Sequence, residues 1–218
     1  GYDAHVKRTS RRPLVTGEVT PREALAVGAG LALCAFALVM FTNRATIVLA
    51  VAAFAISIAY PFFKRFFALP QAFLGIAFSF GIPMAFASVR GEVEWPGWPM
   101  LAINLLWVMA YDTEYAMVDR DDDLRIGIRT SAITFGRHDV TAVMVCYGLA
   151  LALLGWAAVL EDLWPWMAVG LALAAGVAGY HHRLIRDRDR ERCFRAFNHN
   201  TWFGAAVFVG VFLGVMLR

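Results

Sequence analysis

Seven apolar runs, separated by short polar connections, organise the 218-residue chain. They cover about residues 24–42, 45–63, 70–89, 100–118, 140–160, 163–182 and 197–217. Each is close to the roughly 20 residues that an α-helix needs to cross the hydrocarbon core of a bilayer. The breaks are polar or turn-forming: Asn43 with Arg44, Lys64 with Arg65, the Gly-, Pro- and Trp-rich stretch 90–99, and Glu161 with Asp162. The pattern predicts an all-α, polytopic transmembrane bundle of seven helices. The connections are short and no internal repeat is present, so residues 1–218 read as one membrane domain.

Composition agrees. Hydrophobic residues make up 60% of the chain, against about 45–50% in a soluble domain. Only 17% are charged, and they cluster. The net charge of +3 says little; its distribution says more. Seventeen of the twenty Lys and Arg lie in the N-terminal segment and in the second, fourth and sixth connections. The odd-numbered connections and the C-terminus hold only Arg44, Arg90 and Arg218. The positive-inside rule therefore places the N-terminus and the even connections in the cytoplasm. Seven spans then put the C-terminus on the opposite side. Cys34, Cys146 and Cys193 are too scattered for a disulfide framework or a zinc site.

The fourth run ends in Asp112, Glu114, Asp119, Asp121, Asp122 and Asp123. Asp119 and Asp123 are four residues apart and share a helix face. Asp112 lies two turns earlier on nearly the same face. Carboxylates stacked this way repel one another unless a cation sits among them, and Mg2+ takes oxygen ligands from one or two carboxylates plus substrate phosphates. Asp121 and Asp122 read as a solvated acidic loop. Asp112 and Glu114 do not, because they lie inside an apolar run, where ionisable groups are costly and functional. Lys64 and Arg65 are ordinary cytoplasmic anchors when taken alone. They gain meaning if a diphosphate must be held on the same face as its metal. The N-terminal segment, with Lys7 and Arg8, is basic on that face too and could equally bind lipid headgroups. His5, His181, His182 and His199 show no ligand spacing and read as ordinary polar or interfacial residues.

Four strings together resemble the UbiA superfamily of intramembrane aromatic prenyltransferases, in its bacterial branch that prenylates 4-hydroxybenzoate for ubiquinone. They are DAHVKRTSRRPL (3–14), YPFFKR (60–65), YDTEYAMVDRDDD (111–123) and IGIRTSAITFG (126–136). The resemblance runs through essentially the whole chain. It implies two Asp-rich motifs that hold Mg2+ and a polyprenyl diphosphate. The second falls on Asp119 and Asp123. Of the first, only the last carboxylate is present, as Asp3; its Asn and two earlier Asp would precede Gly1. Metal ligation is thus implied for Asp3, Asp119 and Asp123, and diphosphate binding for Tyr60 and Lys64. Arg65 is implied as a further contact to diphosphate or to the aromatic carboxylate, with Lys7 and Arg8 as further substrate-binding residues. Asp112 is the candidate for steering the phenol or taking a proton. The family fold has nine helices, so seven imply that two are missing and that the chain is inactive alone. The setting implied is the bacterial inner membrane, with the acidic motifs cytoplasmic and the C-terminus periplasmic. Partners would be polyprenyl diphosphate, 4-hydroxybenzoate and membrane lipid, and no nucleic acid.

Two other readings share some of these features. Membrane CDP-alcohol phosphotransferases also place D-x-x-x-D at a helix end, but their Asp-Gly and Ala-Arg elements are absent from this span. A cation-coupled transporter would suit intramembrane carboxylates. It would commonly show internal repeats, and the acidic residues here gather at one face only.

Overall fold

The structure is a computed structural model that describes residues 6–7, 9–63 and 66–217. Asp3, His5, Arg8, Lys64 and Arg65 lie outside the described residues. No strand occurs among the described residues. A short turn of helix, α1 (Pro13–Thr16), ends at Gly17, whose φ of 82° is left-handed. It leads into α2 (Pro21–Val39). Thr20 and Glu23 cap α2 reciprocally: the Thr20 hydroxyl accepts from the Glu23 N–H at 3.3 Å, and the Glu23 carboxylate accepts from the Thr20 N–H at 2.8 Å. Then follow α3 (Arg44–Phe63), α4 (Pro70–Ser79), α5 (Gly81–Arg90), α6 (Gly97–Ile126), α7 (Ser131–Phe135), α8 (Asp139–Leu160), α9 (Trp166–Ile185) and α10 (Arg190–Met216).

Each apolar run forms helix, with three differences from the expected pattern. The third run is broken into α4 and α5 at Phe80. Pro83 explains the break, since it has no N–H to return to the carbonyl of Ser79. The fourth run does not stop near residue 118. The acidic segment is helical through Ile126, until Gly127 adopts a left-handed φ of 71° and ends it. At about 45 Å, α6 is longer than the roughly 30 Å hydrocarbon core, so one end can stand clear of lipid. Finally, the connection after α6 contains α7, capped by the Thr130 hydroxyl on the Ile133 N–H.

Five stretches are long and apolar enough, by length and composition, to cross a bilayer: 21–39, 44–63, 70–90, 131–160 and 190–216. The other two long helices, α6 and α9, are less uniformly apolar and bury polar groups inside the bundle, among them Glu114 and His181. The chain is a multi-pass membrane protein, and its packing is that of one. Large apolar side chains such as Leu25, Leu31, Phe54, Leu173 and Phe208 are exposed on the outside, where lipid replaces water. Small residues bring the helices together. A Cβ at Gly170 in α9 would stand 2.7 Å from the Ala206 carbonyl and 2.7 Å from the Gly210 Cα in α10. Such close approach is how helices associate when no water drives them together. The main buried cluster joins α6, α8, α9 and α10 through residues such as Ala110, Val143, Ala174 and Phe203.

Candidate active site

A cavity of about 420 Å³ opens beside the C-terminal half of α6. Asp112, Asp119 and Asp123 all line it, and each is more than nine-tenths buried. The helical period accounts for this, because residues separated by seven and by four fall on one face. Extending the four-residue spacing backwards from Asp119 reaches Tyr115 and Tyr111, and both tyrosines line the cavity. Tyr60 comes from the last turn of α3, Gln71 and Phe78 from α4, and Phe197 from α10.

The walls are held by hydrogen bonds. Gln71 is buried, and its side-chain oxygen accepts from the Ser131 N–H at 2.8 Å. The Ser131 and Thr113 hydroxyls lie 2.8 Å apart, which fastens the start of α7 to α6. Arg129 donates to the Phe66 carbonyl at 3.1 Å, and the Thr134 hydroxyl to that of Ala68. These bonds tie the connection before α4 to the one after α6, which lines the cavity through Ile128 and Thr130.

A second set of contacts brings the N-terminal segment to this end. Asp122 accepts from the Lys7 backbone N–H at 3.3 Å and from the Arg190 guanidinium at 2.6 Å. Arg190 also donates to the Val118 carbonyl at 2.6 Å. Val6, Thr9 and Arg12 line the cavity as a result. Close by, the buried Asp139 carboxylate accepts two bonds from the Arg188 Nε, at 3.0 and 3.1 Å, and one from its Nη2 at 2.7 Å. These bonds hold the Arg188 guanidinium more firmly protonated than usual.

The sequence-based expectations meet this geometry unevenly. Asp112, Asp119, Asp123 and Tyr60 are brought together. Lys7 is exposed and reaches the site through its backbone, while Arg12 supplies a cationic side chain at the cavity. Asp3, Arg8, Lys64 and Arg65 lie outside the described residues. Asp121 is exposed as expected, but Asp122 is buried and ion-paired rather than solvated. Of the two readings of His181, ordinary polar or interfacial, burial leaves the first: it is fully buried, 3.0 Å from the Tyr147 hydroxyl. Glu114 is buried on the far side of α6 and is not among the cavity residues. Among the residues that sequence reasoning missed, Tyr111 and Tyr115 carried the four-residue spacing as a signal. Gln71 and Phe197 carried none.

Among the described residues, the polar side chains facing the cavity include carboxylates, phenols and an amide, and none is a thiol or an imidazole. This oxygen-rich donor set suits a hard divalent cation. Among the described residues, no three His, Cys, Asp or Glu side chains gather closely enough to hold an ion alone.

Comparisons with known proteins agree with the geometry. The sequence model of the UbiA prenyltransferase family matches residues 1–214. A 4-hydroxybenzoate octaprenyltransferase of Cupriavidus necator is 61% identical over 218 residues, which are 100% of this chain and 76% of that protein. One from Thiobacillus denitrificans is 56% identical over 217 residues, covering 100% and 74%. Among solved structures, the apo form of a UbiA homologue from Aeropyrum pernix superposes with a TM-score of 0.78 at 27% identity, over 95% of this chain and 79% of that one. A digeranylgeranylglyceryl phosphate synthase, at 16% identity, shares the fold with a TM-score of 0.70, over 100% of this chain and 80% of its own. With its family match, its membrane helices and its carboxylate-lined cavity, this chain belongs to the UbiA prenyltransferase family and is a prenyltransferase.

Proposed function

We propose that the protein transfers a polyprenyl group from polyprenyl diphosphate to the ring carbon ortho to the hydroxyl of 4-hydroxybenzoate, with Mg2+ as cofactor, in ubiquinone biosynthesis. The observation that carries this reading is that Asp112, Asp119 and Asp123 line one cavity together with Tyr60. The names of the bacterial relatives support the acceptor.

Asp119 and Asp123, with Asp3, are the residues that would hold Mg2+, which when bound withdraws charge from the diphosphate leaving group. Tyr60 and Lys64 bind the diphosphate, Arg65 contacts the diphosphate or the aromatic carboxylate, Lys7 and Arg8 are further substrate-binding residues, and Arg12 adds a cation at the cavity wall. The bond between the allylic carbon and the diphosphate oxygen breaks, and its electron pair leaves with diphosphate. The ortho ring carbon then forms the new C–C bond and loses its proton. Asp112 stands about 10 Å back along α6 from Asp119, where it orients the phenol or takes that proton. Leu74, Phe78 and Phe197 line the cavity with apolar surface that keeps water from the allylic cation. The charge bias of the connections supports an inner-membrane orientation with the carboxylates cytoplasmic and the C-terminus periplasmic.

The test is product formation in membranes that contain the full-length protein, supplied with polyprenyl diphosphate and 4-hydroxybenzoate. Prenylated product is expected with Mg2+ and none after chelation. An undiminished rate after chelation would overturn the metal assignment, and no product under any condition would overturn the substrate assignment.

A further inference from the structure

The face of α6 that turns away from the cavity carries a second polar cluster, unused by the reaction above. Successive helical residues lie about 100° apart, so Asp112, Asp119 and Asp123 fall within an arc of about 40° and Glu114 stands about 200° from Asp112. Glu114 is fully buried. Its Oε2 accepts from the Asn200 side-chain N–H at 2.7 Å, and its Oε1 lies 3.1 Å from the Tyr147 hydroxyl and 3.6 Å from His181 Nδ1. The Tyr147 hydroxyl donates to Asn200 Oδ1 or to Glu114, at 2.7 and 3.1 Å. The Asn200 amide can face only one way. Trp107 Nε1, a pure donor, reaches Asn200 Oδ1 at 3.0 Å, and the amide N–H therefore points at Glu114. Trp107 packs edge-on against the cavity residue Tyr111, with ring centroids 5.6 Å apart.

Through this one carboxyl, α6 is joined to Tyr147 of α8 and Asn200 of α10, and the Tyr147 hydroxyl in turn meets His181 of α9 at 3.0 Å. A buried polar group is costly once its partners are lost. Turning α6 by one residue position would strip Glu114 of both bonded partners and would swing the three aspartates away from the cavity.

We propose that Glu114, held by Tyr147 and Asn200, is a positioning residue that fixes the rotation of α6 and so the aim of Asp112, Asp119 and Asp123. The proposal rests on the metal–diphosphate reading of those aspartates. An amide in place of the carboxyl satisfies the same two partners, donating to the Tyr147 oxygen and accepting from Asn200. A hydrocarbon side chain satisfies neither.

The test is the binding of Mg2+ with inorganic diphosphate to the purified full-length protein in detergent, read as the shift in melting temperature across a titration. Glu114→Leu should raise the apparent dissociation constant roughly 10–100-fold, the range seen when supports behind metal ligands are removed. Glu114→Gln should restore binding to the wild-type value. Asp119→Asn, measured alongside, tests the underlying reading. If Asp119→Asn binds as the wild type does, the metal assignment fails, whatever Glu114 does. If Asp119→Asn loses binding and Glu114→Leu retains full affinity, the positioning role is overturned. A residue that merely stabilises the fold would lower the melting temperature and leave the dissociation constant of the folded protein unchanged. Should Glu114→Leu fail to fold, Tyr147→Phe decides, because it keeps the ring and removes the hydroxyl. Weaker binding supports the proposal, and unchanged binding overturns it.

Discussion

Replacing Asp122 by Ala tests whether the N-terminal segment must be docked for the cavity to work. The Asp122 carboxylate holds the Arg190 guanidinium at 2.6 Å and the Lys7 N–H at 3.3 Å. A hydrogen bond to a charged group contributes about 1.5–3 kcal/mol when its surroundings are dry. The Arg190 side chain is 35% exposed and that of Asp122 is 11% exposed, so solvent screening reduces the pair to about 1–2 kcal/mol. If that free energy sets the balance between docked and released segments, its loss shifts the balance by a factor of about 5–30. The expected result is a fall of that size in kcat/KM for polyprenyl diphosphate in a membrane assay, with the protein still inserted at normal levels. Asp121→Ala is the control, since Asp121 is the exposed neighbour. Equal rates for the two variants would refute the docking role of Asp122.

Three further outcomes are expected. Gly170→Ala puts a methyl group 2.7 Å from α10 backbone atoms and should lower the melting temperature in detergent, at a cost of about 1–3 kcal/mol; an unchanged melting temperature would show that α9 and α10 do not approach this closely. Cysteines placed at positions 44, 92 and 161 should label from the periplasm and those at 129 and 188 from the cytoplasm, and a reversed pattern would overturn the orientation. Arg65→Ala and Arg12→Ala should each weaken use of the diphosphate substrate far more than Arg186→Ala, and equal small effects from all three would reduce the first two to topology anchors.

Much of the fold was legible because a bilayer imposes one simple requirement. Every spanning helix must be apolar over about the same length, so the helices announced themselves as runs. What the runs concealed were departures set by individual residues, such as the break that Pro83 makes between α4 and α5. The helical acidic segment was harder to read. Strings of Asp look like solvated loop, yet Gly127 supplies the stop signal nine residues after Val118. Within the site, spacing alone brought Asp112, Asp119 and Asp123 to one face. It said nothing about what the opposite face would meet, and so Asp122 passed for a solvated residue and His181 for an ordinary polar or interfacial one. Their partners, Arg190 and Tyr147, stand 68 and 34 residues away. Contacts of that kind are decided by helix packing, which leaves no local trace in the chain.

The most direct measurement is the rate of prenyl transfer from polyprenyl diphosphate to 4-hydroxybenzoate across a Mg2+ titration, for wild type, Asp119→Asn and Asp123→Asn in the full-length protein. Both variants should reach the membrane at normal levels, lose turnover by several orders of magnitude, and fail to recover at high Mg2+. Near-wild-type turnover in both, with an unshifted Mg2+ dependence, would contradict the assignment of the α6 carboxylates to the metal–diphosphate group.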